Sequence, residues 1–231
     1  MIETRTETLA LTDGSALPLT VAEPDHVVRG GLVVLHEARG VTDRVRSLMR
    51  SLAEDGWLTA APHLYHRDGV EGFADAHDGD RVREHVARLT EESVLADSDA
   101  AFLWLSGRDV PADRQGAIGF DAGGAVTLVV AANRSLGAAV TVGGGGIVTP
   151  LSPGLPPLAE IAGELSCPWL GLYGDQDPAT PAGEVTKLQE AAAAARVATD
   201  VVRFTGGQRG AVADAIDLSQ RTRNWLDTHL R

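Results

Sequence analysis

Asp121 stands at the centre of Gly119-Phe120-Asp121-Ala122-Gly123-Gly124, and a carboxylate at that place bounds the chemistry open to the chain. The apolar pair Ala117-Ile118 before it and the helical pattern over residues 125–132 after it predict a sharp strand-to-helix turn. Such an elbow needs small residues on both sides so that its central side chain stands exposed above the sheet. Glycines supply that room here. An exposed carboxylate can attack a saturated carbon to give an alkyl ester, move a proton, or bind a polar ligand. It attacks an ester carbonyl poorly. The product would be a mixed anhydride, and a carboxylate with a parent pKa of about 4 leaves the tetrahedral intermediate more readily than an alkoxide does.

The elements that must hold this turn follow from the alternation of apolar runs with helical patterns. Strands are predicted over residues 17–22 at an edge, 31–35, 57–61, 116–120, 138–142, 169–173 and 200–204. Helices are predicted over residues 43–55, 80–104, 123–132, 185–195 and 211–230, with Gly56 closing the first. Pro62 ends the third strand by removing a donor and fixing the backbone. Strands joined by crossover helices make an α/β fold with a mostly parallel sheet and helices on both faces. The Gly/Pro-rich stretch 143–157 is short enough for a loop, so residues 1–231 are read as one domain.

A chain of 231 residues, 44% hydrophobic and 23% charged, has the make-up of a well-cored globular domain. Its formal net charge of -12 opposes phosphate backbones and anionic lipid, which points away from nucleic acid and membranes and toward a small-molecule partner. The apolar runs are too short to span a bilayer and Met1-Ile2-Glu3-Thr4-Arg5 lacks the apolar core of a signal peptide, so a cytoplasmic location is expected. Cys167, the single cysteine, precedes Pro168-Trp169-Leu170 and is read as buried at the start of a strand. Gly143-Gly144-Gly145-Gly146 lacks the lysine of a phosphate loop and the spacing of a dinucleotide fingerprint. It is read as close backbone passage beside a pocket or as a lid hinge, and no cofactor is expected. His63 and His66 have a spacing that could suit a metal, yet no third ligand accompanies them, and no metal is expected.

Five segments match one family in order. They are Leu35-His36-Glu37-Ala38-Arg39-Gly40, Leu52-Ala53-Glu54-Asp55-Gly56-Trp57, Ala61-Pro62-His63-Leu64-Tyr65, the elbow, and Gly171-Leu172-Tyr173-Gly174-Asp175-Gln176-Asp177-Pro178. On these the chain resembles the dienelactone hydrolase family of α/β-hydrolases nearly end to end. The resemblance implies an α/β-hydrolase fold without a large cap domain and a small lactone, ester or carboxylated substrate. It also implies a Cys or Ser nucleophile, an Asp and a His in that chain order. It places Asp121 at the nucleophile position, Asp177 at the acid, and Arg209 of Arg203-Phe204-Thr205-Gly206-Gly207-Gln208-Arg209-Gly210 at the histidine, with Gln208 there if the register slips by one. Glu37 would face the elbow residue. The N–H groups of Ala38 and Ala122 would form the oxyanion hole. His36, His63, Tyr65 and Arg81 would surround the substrate.

With Asp121 and Arg209 in those places the family's ester hydrolysis is expected to be impaired, because a guanidinium with a pKa above about 12 keeps its proton. Losing a positioned base typically costs about 100- to 10,000-fold. Three readings stay open. Asp121 attacks an epoxide or alkyl halide, with a base drawn from His36, His63 or Glu37. Asp121, Arg209 and Asp177 form a charge network that orients a polar molecule for proton transfer, cyclisation or isomerisation beside the oxyanion hole. Or the pocket binds without catalysis.

Overall fold

A computed structural model describes residues 2–73, 78–204 and 216–230. Eight strands form one sheet: β1 (Thr4–Ala10), β2 (Ala16–Ala22), β3 (Gly30–Leu35), β4 (Trp57–Pro62), β5 (Gln115–Phe120), β6 (Ala138–Val142), β7 (Trp169–Gly174) and β8 (Thr199–Phe204). Their order is β1-β2-β4-β3-β5-β6-β7-β8. β1 runs antiparallel to β2, and β2 antiparallel to β4. Every later pairing is parallel. The helices are α1 (Asp43–Glu54), α2 (Gly79–Val86), α3 (Glu91–Ser106), α4 (Ala122–Asn133), the single turn α5 (Leu158–Ile161), α6 (Ala182–Ala192) and α7 (Ile216–His229). No separate cap domain stands among the described residues, and none of their helices is long and apolar enough to cross a membrane.

The period-two pleat explains how one apolar strand serves two cores. In β3, Leu32 and Val34 pack with Val45, Met49 and Leu52 of α1 on one face. Val33 and Leu35 pack with α3 and α4 on the other. Residues buried on both faces leave the continuous hydrophobic runs by which the parallel strands are recognised in sequence. The same runs stack the strand ends at one edge of the sheet, where Leu35, Pro62, Phe120 and Gly174 hand over to the loops that carry the candidate site.

Two expectations are corrected. The strand at residues 17–22 is not at the edge, because β1 lies outside it in a seven-residue antiparallel register from Thr4↔Ala22 to Ala10↔Ala16. The helix expected over 80–104 is two helices. Thr90 interrupts it, accepting the Ser93 N–H at 3.1 Å while the Ser93 hydroxyl accepts the Thr90 N–H, a reciprocal cap that starts α3 anew.

Candidate functional site

Only Asp121 separates β5 from α4, and it turns the chain with φ 52° and ψ -120°. A residue with a Cβ in that region costs about 1–3 kcal/mol, so the surrounding backbone must hold it. The Asp121 N–H donates to Val142 O at 3.0 Å, and the Asp121 carbonyl accepts from Gly124 N at 2.9 Å and Ala125 N at 3.3 Å. Glycines let the elbow close. A Cβ at Gly119 would stand 2.0 Å from Gly123 O, and one at Gly123 would stand 2.1 Å from Leu35 O. An Asp before a helix usually caps it with its side chain. Asp121 makes no such cap. Its carboxylate instead lies close enough to Tyr65 that, after burial, its charge is the second cause pushing the phenol's pKa up.

The loop expected to carry the acid, with Asp177, follows β7. Asp177 is buried, and its Oδ1 accepts the Ala179 N–H at 2.9 Å. The glycine run after β6 passes between this loop and the elbow. A Cβ at Gly143 would come within 3.9 Å of Asp177 Oδ2, whereas one at Gly144 would press to 2.7 Å on the Asp121 carbonyl oxygen. Both glycines have φ in the left-handed region, 66° and 115°. The run is therefore close backbone passage, the first of its two expected roles.

His36 and Glu37 leave the end of β3. The His36 Nε2 accepts the Leu64 N–H at 3.0 Å, which makes the ring neutral and puts its proton on Nδ1. Nδ1–H donates to the Glu37 carbonyl at 2.8 Å. Burial pulls the ring's pKa down to about 4, against the raising effect of that hydrogen bond. Both ring nitrogens are thus engaged with backbone. The Tyr65 hydroxyl donates to the Ala38 carbonyl at 2.9 Å, and its ring meets His36 edge-on at 5.1 Å between centroids. The Glu37 carboxylate accepts from the Thr42 hydroxyl at 2.8 Å and borders a cavity of about 680 Å³ that Arg39, Arg44, Arg46, Glu71 and Phe73 also line.

Of the remaining candidates, His63 lies near enough to His36 for its charge to help lower that ring's pKa. His63 is buried, with Nε2 2.8 Å from Thr20 Oγ1, and burial and then Arg46 lower its pKa to about 4. His66 turns to Asp97 at 3.2 Å, so the two histidines do not converge. Among the described residues no three His, Cys, Asp or Glu side chains form a metal-holding group. Arg81 is largely exposed, pairs with Asp78 at 3.0 Å and lies over the Phe73 ring at 5.3 Å. Arg209 and Gln208 lie outside the described residues. The sequence reading missed the cavity residues Arg39, Arg46 and Phe73. The only prior signal was the start of α1 at Thr42-Asp43, which brings Arg46 one turn in, beside the end of β3.

The dienelactone hydrolase family model matches residues 17–221. A Salmonella typhimurium protein named "Putative carboxymethylenebutenolidase" is 35% identical over 180 residues, covering 75% of this chain and 64% of that protein, so the chain spans under two thirds of this relative. A Yersinia pestis protein of the same name is 30% identical over 241 residues, covering 96% of this chain and 88% of that one. The crystal structure of a "Putative Dienelactone Hydrolase" from Klebsiella pneumoniae superposes with a TM-score of 0.87 at 28% identity, covering 98% of this chain and 99% of that chain. The eight-stranded, mostly parallel sheet and its helices thus belong to a shared frame, and the chain is a member of the dienelactone hydrolase family.

Proposed function

We propose that the protein acts on a small lactone, ester or carboxylated molecule bound above Asp121, with the elbow carboxylate serving as a base beside an oxyanion hole formed by the Ala38 and Ala122 N–H groups. The observation that carries this reading is the strained Asp121 itself, held in the left-handed region at a helix start that its side chain does not cap. Strain of that kind persists where function demands it. The N–H groups of a helix N-terminus also favour developing negative charge. A base and an oxyanion hole together serve enolate chemistry: the carboxylate takes a proton α to a carbonyl, and the N–H groups hold the oxygen that becomes anionic. Proton transfer, cyclisation or isomerisation then needs no covalent intermediate. Arg209, at the position expected for the family histidine, would counter the charge of the two carboxylates. The relatives' names, which contain a carboxylated butenolide, favour a lactone bearing a carboxylate.

The test is a screen of lactones, activated esters and epoxides with the wild type and with Asp121→Ala and Asp121→Asn. The reading requires turnover that both variants lose, with no adduct on Asp121 in mass spectra taken during single turnover. An adduct would mean nucleophilic attack at saturated carbon. Turnover retained in Asp121→Asn would remove the base role, and saturable binding without turnover would leave a ligand-binding protein.

A further inference from the structure

We infer that His36 is a positioning residue that polarises and aims the Glu37–Ala38 peptide, so that the Ala38 N–H serves as a strengthened oxyanion donor. The inference rests on the reading that Ala38 belongs to the oxyanion hole, and it assigns His36 a task different from substrate contact. The peptide is planar and trans, so the Glu37 carbonyl and the Ala38 N–H point in opposite directions from one rigid unit. Fixing the oxygen fixes the hydrogen. Two donors fix that oxygen: His36 Nδ1 at 2.8 Å and Gly40 N at 2.9 Å.

Each hydrogen bond into the carbonyl draws electron density toward the oxygen and leaves the N–H at the other end of the peptide more acidic. Hydrogen-bonded chains strengthen one another in this way inside a protein, by about 10–30% per bond. The direction of the His36 bond is not free to reverse. Nε2 already accepts the Leu64 N–H at 3.0 Å, so Nδ1 must be the donor. The relay therefore runs in one sense, from the backbone after β4, through the imidazole, to the Glu37 carbonyl and out along the Ala38 N–H.

The second anchor is equally constrained. Gly40 has φ 90°, and a Cβ there would stand 2.7 Å from Glu71 O, so only glycine brings its N–H to the Glu37 carbonyl. The next peptide is held by Tyr65, whose hydroxyl donates to Ala38 O at 2.9 Å. The loop after β3 is thereby pinned at two successive carbonyls, which is what an oxyanion donor needs if it is to be preorganised before charge develops.

Side-chain amides separate the two functions of the ring. His36→Asn keeps an N–H donor near the position of Nδ1, whereas His36→Gln keeps an acceptor oxygen near that of Nε2. With the protein labelled on alanine ¹⁵N, the Ala38 amide nitrogen and proton are expected to move to lower frequency in His36→Gln and to stay near wild type in His36→Asn. On any lactone or ester turned over by the wild type, kcat falls about 10- to 100-fold in His36→Gln with KM little changed, a loss below the roughly 100- to 1,000-fold for removing an oxyanion donor outright. Asn restores it. Asn and Gln variants with the same Ala38 resonance would overturn the inference.

A measurement on the unaltered protein guards against variants that do not fold. Histidine ¹⁵N spectra at neutral pH must show His36 protonated at Nδ1 and bare at Nε2, with a through-hydrogen-bond coupling from Nδ1 to the Glu37 carbonyl carbon. The opposite tautomer would overturn the inference. If Ala38 responds as expected but no lactone or ester is turned over, the polarised peptide stands and the catalytic reading falls. If turnover is real and Ala38 is indifferent to position 36, the inference alone fails.

Discussion

Gly123 packs against Leu35 so closely that a Cβ on the glycine would stand 2.1 Å from the Leu35 carbonyl oxygen and 2.4 Å from that of His36. This contact sets the first turn of α4 directly on the end of β3 and brings the two halves of the proposed oxyanion hole together. Neither obstacle is a flexible side chain, so backbone must move. Gly123→Ala is expected to cost about 3 kcal/mol, at the upper end for overpacking, read as a lower urea midpoint with an unchanged slope. A cost near zero would mean that α4 is free to shift.

Asp121 should trade stability for function. Glycine adopts φ 52° without the steric penalty that a Cβ carries, so Asp121→Gly relieves about 1–3 kcal/mol of strain and gives back about 1 kcal/mol in the greater freedom of the unfolded chain. The variant is expected to unfold at a higher urea concentration than wild type while losing all turnover. A lower midpoint would show that contacts of the carboxylate outweigh the strain, and that the side chain holds the fold together.

The fold was legible because its strands are buried on both faces, as the uniformly buried β3, β4 and β7 show. β1 was missed for the opposite reason. Its sequence Thr4-Arg5-Thr6-Glu7-Thr8-Leu9-Ala10 is polar and largely exposed, and only its pairing with β2 makes it a strand. The break before α3 hides in a sequence of good helix formers, and it is the local bond between Thr90 and Ser93 that outcompetes helix continuation. The elbow announced itself through glycines that nothing larger could replace. The committed ring of His36 did not, since no spacing in the sequence reveals that Leu64 N would meet it across two strand ends.

Asp97 is a buried carboxylate on α3 that ties this helix to the turn after β4. Arg67 reaches it at 2.9 Å and His66 at 3.2 Å, and the carboxylate is only 1% exposed. Removing the carboxylate leaves the buried His66 Nε2 unmatched, whereas Arg67, 32% exposed, keeps Asp13 at 3.6 Å. Asp97→Ala is expected to destabilise the protein by about 3 kcal/mol, and Asp97→Asn, which keeps one acceptor, by less. Because none of the bonds that His66, Arg67 and Asp97 make runs to Asp121, kcat per folded molecule should be unchanged in both. A selective fall in kcat would tie α3 to the site.

Acid should unfold the protein through two buried histidines, His36 and His63. The rings of His36 and His63 have pKa values pulled from 6.5 to about 4, in both cases chiefly by burial. A depressed histidine pKa means that the folded state resists protonation that the unfolded state accepts. Its stabilising contribution is therefore complete above pH 6.5 and is lost as the pH falls toward 4, by about 3 kcal/mol per ring across that window. Carboxylates titrate in the lower half of the same window, so the histidines are isolated by difference. Urea unfolding at pH 7, 6, 5 and 4.5 should show a steep loss in wild type that is shallower by one proton in His36→Asn or His63→Gln, and by two when both are replaced. If the three variants follow the wild-type slope, the rings are already protonated in the fold, and the one-way bond from Leu64 N to His36 cannot exist as described.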